Sequence, residues 1–271
     1  MKRSLFLRTV AFLGYVFLYA PIVSLVIFSF NENKLVTVWS GFSVKWYGEL
    51  LQNDQLIRAG LLSLQIAALS ATLALVLGTM AAVAIVRFRK FRGKTLMVGM
   101  ITAPLVMPDV IIGLSLLLLF VAMQNMIGWP AGRGMLTVVI AHATFCMAYV
   151  AVVIQSRLGD LDISLEEAAQ DLGATPVRVF FDITLPIISP ALVSAWLLSF
   201  TLSLDDLVIA SFVNGPGSST LPMVIFSKIR LGVSPDVNAL ASLLIGIVAI
   251  GIIIANLQMS RARRRLVREG G

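Results

Sequence analysis

Apolar residues gather in six long runs along this chain: roughly Thr9–Phe30, Leu61–Val86, Leu96–Met123, Met135–Gln155, Ala191–Val213 and Val237–Met259. Each reaches the length of about 20 residues that a helix needs to cross the hydrocarbon of a bilayer. The stretches between them hold the Gly, Pro, Asn and charged residues expected of loops. The pattern predicts an all-α membrane protein with six transmembrane helices. An even number of crossings leaves both termini on the same side. No repeat of roughly 20–50 residues and no low-complexity tract interrupts this organisation.

Composition agrees. The 271 residues are 58% hydrophobic and 13% charged, with a mean hydropathy of +0.94. A soluble domain is nearer 45–50% apolar and about 25% charged. This surplus of apolar surface needs lipid as its partner, since lipid is itself an apolar solvent. The formal net charge of +7 does not point to nucleic acid, because the basic residues lie between apolar spans and form no single soluble face. Most of them fall on one side of the predicted membrane: Lys2, Arg3 and Arg8, the cluster Arg87–Lys94, Arg157 and Arg178, and the tail Arg261–Arg268. The positive-inside rule makes that side, and both termini, cytoplasmic. The first run is basic and then apolar, as a signal peptide is. It is longer than such an h-region and no small-x-small site follows, so it is expected to remain as a helix. The single cysteine, Cys146, excludes an intramolecular disulfide.

The loop Arg157–Ser189 is too long for a simple connection, and loops of that length are usually functional. It reads as two short helices. Ser164 and Glu167 have the spacing of a capping box. Leu165, Ala168, Ala169 and Leu172 then recur as one apolar face, and Gly173 stands where the helix should stop. Thr175 and Pro176 open a second helix, which Pro186 and Pro190 are expected to end. A small-residue face suits docking into a partner's groove. It equally suits a hairpin lying on the membrane interface, and the residues alone leave both readings open.

Glu167-Ala168-Ala169, Gly173, Ile183 and Leu185-Pro186 stand at the spacing of the EAA signature, and every signature position matches. In this the chain resembles the permeases of binding-protein-dependent (type I) ABC importers. The segments Thr102–Asp109, Ser203–Val208 and Thr220–Met223 look like the polyamine branch of that family, and the similarity covers nearly the whole chain. The resemblance implies that Glu166 to Pro186 form a coupling element seated in a cytoplasmic ATPase. It also implies a second permease subunit, an ATPase dimer and a periplasmic polyamine-binding protein as partners, in a bacterial inner membrane. The cargo implied is putrescine or spermidine. On this reading residues 1–58 form the first helix and an external loop, 59–260 the permease core, and 261–271 a basic tail. The stretches Asn31–Arg58 and Asn214–Pro235 would meet the binding protein.

Three carboxylates fall inside predicted spans, where an ionisable side chain is costly and a functional hypothesis by default. Asp109 lies near the middle of the third span, after Pro104 and Pro108. Asp205 and Asp206 lie beyond the middle of the fifth. Helical phase puts Ser199, Ser203, Asp206 and Ala210 on one small, polar stripe, with Asp205 turned about 100° away. A polycation crossing a low-dielectric passage needs carboxylates or carbonyls in place of its water. Asp206, Asp109 and Asp205 are the expected contacts. His142, Tyr149 and Trp196 are the candidate aromatic wall, through cation–π attraction, although aromatic stripes on helices more often pack. Aspartates at such positions also cap kinked helices.

Other signals carry less. Gly93-Lys94-Thr95 lacks the earlier glycine of a phosphate loop, so no nucleotide site or cofactor is expected in this chain. His142 and Cys146 lie one turn apart but are too few to bind a metal. With one histidine and its acids far off in sequence, no Ser/His/Asp set is expected, so the chain does not read as an enzyme. Alternatives are the same machine with another cargo, such as a metal, or a channel without ATP coupling.

Overall fold

The computed structural model describes residues 2–34, 38–88, 90–231, 235–246 and 250. Among them the chain is helical, with no strand beyond an isolated bridge between Asn31 and Phe42. Five helices are long and apolar enough to cross a membrane: Leu5–Phe28, Asp54–Arg87, Asp109–Ile127, Met135–Gly159 and Pro176–Asp205. The sixth predicted run lies mostly outside the described residues; its first part falls in a helix over 235–246.

The chain divides into two compact units. One is Arg58–Val224; the other joins Met1–Ile57 to the chain from Ile225 onward. In the second unit, α1 (Lys2–Phe28) presents apolar side chains such as Phe6, Phe12 and Phe17 outward, as a lipid-facing helix does. After α1 the chain folds back through α2 (Lys45–Leu51). Trp46 Nε1 donates to Asn31 O at 2.6 Å, and Ser29 Oγ and Tyr47 Oη lie 2.7 Å apart. Phe30 stacks on Phe42 at 5.2 Å. Lys228 and Asp236 form an ion pair.

In the larger unit, α6 (Met135–Gly159) is the buried axis. Val138, Ala141, Cys146, Val150, Ile154 and Leu158 are all inaccessible on it. The helices α3 (Asp54–Arg87), α5 (Asp109–Ile127), α9 (Leu185–Asp205) and α10 (Val208–Val213) pack around this axis.

Two predicted spans are not continuous helices. The third run divides into α4 (Lys94–Thr102), a single 3-10 turn at Ala103–Leu105, and α5, with a break at 106–108. Pro108 is extended, at φ −59° and ψ 139°. Its ring also disfavours the helical region for the residue before it. The fifth run starts earlier and stops sooner than its hydropathy suggests. The helix α8 (Pro176–Val179) passes through a π turn, Phe180–Thr184, directly into α9. It ends at Asp206, where ψ swings to 126°.

Pro186 and Pro190 therefore do not end the hairpin's second helix. In the π turn, Leu185 N–H bonds Phe180 O, five residues back, and Pro186 follows directly after this irregular turn. Pro190 deprives Pro186 O of its usual donor, and Ser189 Oγ supplies one at 2.8 Å. Hydroxyls commonly satisfy carbonyls that prolines free in membrane helices.

Candidate functional site

The loop after α6 does form a structured hairpin, from α7 (Ser164–Asp171) and α8. Its start differs from the expected capping box. Ile163, not Ser164, holds the cap position, already with helical dihedrals, and makes no side-chain cap bond. Asp162 Oδ1 accepts from Ser164 N–H at 3.0 Å instead. That hydrogen bond holds the exposed Asp162 carboxyl below the usual aspartate range. The end of α7 is as expected. Gly173 takes φ +90°; its N–H bonds Gln170 O at 2.8 Å, and Ala174 N–H bonds Ala169 O at 3.0 Å. This is a Schellman stop, and its left-handed residue favours glycine. Thr175 Oγ1 accepts from Arg178 N–H to open α8.

The hairpin's apolar face is not used by the chain's own packing. Leu172 is 90% exposed and Leu165 is 48% exposed. Glu167, Ala168 and Pro186 are exposed, and Ala169, Ile183 and Leu185 are half-buried. Glu166 does the opposite and turns inward, at 8% exposure. Its Oε1 accepts from Arg87 Nη2 and from Thr184 Oγ1, each at 2.7 Å. Arg87 is thus one partner in an ion pair across 79 residues, which local spacing does not reveal. The available signal was an arginine at a helix end and a glutamate on a mostly small-residue hairpin.

The three intramembrane carboxylates converge at two helix breaks. Asp109 is not mid-helix; it is the first residue of α5, after the break at Pro108, and it is exposed. Gly113, one turn on, packs α5 closely against α10. A Cβ there would lie 2.7 Å from Phe212 Cδ2 and 3.3 Å from Ile209 Cα. This contact sets the break before α5 beside the break between α9 and α10. Asp205 is exposed.

Asp206 is bound on every side. Its Oδ2 accepts from Ala210 N–H at 2.8 Å and its Oδ1 from Ile209 N–H at 3.3 Å. His142 Nε2 lies 3.1 Å from Oδ2, and His142 Nδ1 lies 2.7 Å from Ser203 Oγ. The two ring nitrogens are thus both engaged, one by the carboxylate and one by the hydroxyl. The chain therefore does contain a Ser203–His142–Asp206 arrangement, contrary to expectation. Folding brings α6 to the end of α9 and cancels their separation in sequence. Ser203 is 5% exposed and His142 is 1% exposed, so the arrangement satisfies buried polar groups and offers no accessible nucleophile. The stripe of Ser199, Ser203 and Ala210 is buried and so faces the bundle interior. Among the aromatics, Trp196 Nε1 donates to Thr72 Oγ1 at 3.1 Å and its ring stacks on Phe200. Tyr149 meets Phe145 edge-on at 5.2 Å.

Long apolar helices broken at paired carboxylates, with a structured hairpin joined to one of them, make this an integral-membrane transport permease. The chain belongs to the family of binding-protein-dependent transport system inner membrane components, which residues 74–268 match. It is 62% identical to the putrescine transport system permease protein PotI of Escherichia coli (strain K12), over 98% of this chain and 95% of that one. It is 40% identical to the spermidine/putrescine transport system permease protein PotC of the same strain, over 93% and 92%. Solved structures share its fold. A chain of a bacterial ABC transporter that imports the acidic polysaccharide alginate aligns with a TM-score of 0.73 at 19% identity, covering 96% of both chains. A chain of the MetNI methionine ABC transporter aligns at 0.59 and 18% identity, over 76% of this chain and 95% of that one.

Proposed function

We propose that this chain is a permease subunit of a putrescine importer driven by ATP. The observation that carries the reading is the 62% identity to a putrescine permease over 98% of the chain. In this reading it has six spans, with both termini in the cytoplasm and a permease core at 59–260. The subunit forms half of a translocation path with a second permease. A periplasmic binding protein delivers the cargo, and an ATPase dimer hydrolyses ATP. Closure of the ATPases draws the two hairpins together and opens the path outward; hydrolysis restores the inward state, as in alternating access.

The apolar face of Leu165, Ala168, Ala169 and Leu172, with exposed Glu167 on the same helix and Gly173 setting the turn, is the surface offered to the ATPase. Ile183, Leu185 and Pro186 carry the hairpin into α9. Asp205 and Asp109 meet the ammonium groups of the cargo, because both are exposed and each stands at a helix break. Asp206, His142 and Ser203 hold the break that presents Asp205. Tyr149 and Trp196 are half-buried wall. Two carboxylates at adjacent helix breaks suit a dication, since each ammonium loses water on entry and regains a charged acceptor.

Uptake of labelled putrescine tests this, in cells lacking the gene and in the same cells with it restored, with unlabelled spermidine as competitor. Gene-dependent uptake is expected, and the competition ranks the two polyamines. Equal uptake with and without the protein in the membrane would reassign the cargo.

A further inference from the structure

We propose that Arg87, Glu166 and Thr184 form a brace that carries hairpin movement across a soft joint into the transmembrane helices. They are positioning residues, and the proposal rests on the coupling reading above. The joint is the π turn Phe180–Thr184, between α8 and α9. π turns are single-turn irregularities found mostly at functional sites. A hairpin connected to α9 only through that turn would lose part of any push as local bending.

Glu166 bypasses the joint. Thr184 is the last residue of the π turn, and its hydroxyl donates directly to Glu166 Oε1 on α7. The same oxygen accepts from Arg87 Nη2, at the last residue of α3. Arg87 Nη1 also donates to Leu158 O, in the last turn of α6, at 3.3 Å. One carboxylate oxygen therefore ties the hairpin to the end of α3 and to the π turn before α9, and Arg87 extends the tie to α6. A cavity of about 360 Å³ lies beside the tie, lined by Arg87, Glu166, Val179, Phe180 and Thr184 among others. Arg87 Nε is buried without a protein acceptor, a donor left unused in this state. Each charge also sits where its own helix favours it: Glu166 in the first turn of α7, Arg87 in the last turn of α3.

The test uses the complete transporter in lipid vesicles, with its ATPase, companion permease and binding protein. The double variant Arg87→Gln/Glu166→Gln removes both charges and leaves neither unpaired. Thr184→Val removes only the hydroxyl. The readouts are ATPase retained on the permease, ATP hydrolysed, and putrescine taken up. With the brace cut, the ATPase stays bound and hydrolysis continues, while uptake per ATP falls about tenfold, the size of a typical coupling change. Unchanged uptake per ATP in both variants overturns the proposal. So does loss of bound ATPase in both, which would make Glu166 a docking residue. Should the double variant fail to accumulate, Thr184→Val alone decides by the same ratio. Failure of the underlying reading looks different: the unmodified permease would then retain no ATPase.

Discussion

The larger unit holds two buried polar clusters, each centred on a carboxylate with several partners. Around Asp206, the partners are two backbone N–H groups of α10 and the ring of His142. Two of these bonds close within the adjoining turn and fix the shape of the helix break, and the third ties that break to α6. Around Glu166, every partner belongs to a different long element, α3 or the π turn before α9, with α6 reached through Arg87. The first cluster stabilises a shape; the second is the proposed brace between the hairpin and the long helices. The contrast teaches that a carboxylate's burial does not define its task. The task follows from how many of its partners lie in the adjoining turn: two of three for Asp206, none for Glu166.

Substitutions separate these roles. The largest loss of stability is expected from Asp206→Ala. It leaves Ile209 N–H, Ala210 N–H and a His142 nitrogen without acceptor or partner in a buried site, for a total of about 3 kcal/mol at the usual cost of unsatisfied groups. Thermal unfolding of the purified permease in detergent reads this, and Asp206→Asn, which keeps an acceptor, should lose clearly less. Next comes Gly173→Val, which forces a β-branched side chain into φ +90° at about 1–2 kcal/mol. Insertion should stay intact and uptake should be lost, as membrane abundance and labelled uptake together would reveal. Asp205→Asn sharpens the comparison from the other side. Its side chain is exposed, so stability should move by no more than about 0.5 kcal/mol. Uptake should nevertheless fall about tenfold if it meets an ammonium group.

The smallest effect belongs to Asp162, exposed at the start of the hairpin. Its carboxyl is held below the ordinary value of 3.8 by the Ser164 N–H. A depressed carboxylate stabilises fully above its unfolded pKa, and that contribution fades as the pH falls through the folded one. Protection of the Ser164 amide against hydrogen exchange should therefore persist at neutral pH and weaken only below about 4. Asp162→Ala should remove this pH dependence.

Hydropathy made the spans legible because length and apolar content alone decide them. It could not reveal the break at 106–108, since Val106 and Met107 keep the run apolar while Pro108 diverts the backbone. Nor could it reveal the helix end at Asp206, because the phase argument assumed a helix continuing to Ala210. The hairpin was legible in its glycine stop and its Thr175–Pro176 start, both local devices. Its opening on Asp162 was not, because Ser164 and Glu167 matched a stronger pattern. Pro186 and Pro190 predict a stop because the sequence announces neither the π turn nor the Ser189 hydroxyl that serves the freed carbonyl. The least legible features were His142–Asp206 and Arg87–Glu166, separated by 64 and 79 residues. A lone histidine and a lone aspartate within apolar runs must each find a polar partner. That requirement was the signal that could have paired them.

The central claim is that this subunit passes a polyamine dication by way of the carboxylates at its two helix breaks. The most direct measurement is labelled putrescine uptake by the reconstituted transporter carrying Asp109→Asn/Asp205→Asn, with ATP hydrolysis followed in the same vesicles. The account predicts an assembled complex that still hydrolyses ATP and takes up putrescine far more slowly than the unmodified transporter. Putrescine uptake at the unmodified rate, with both carboxylates gone, would contradict it.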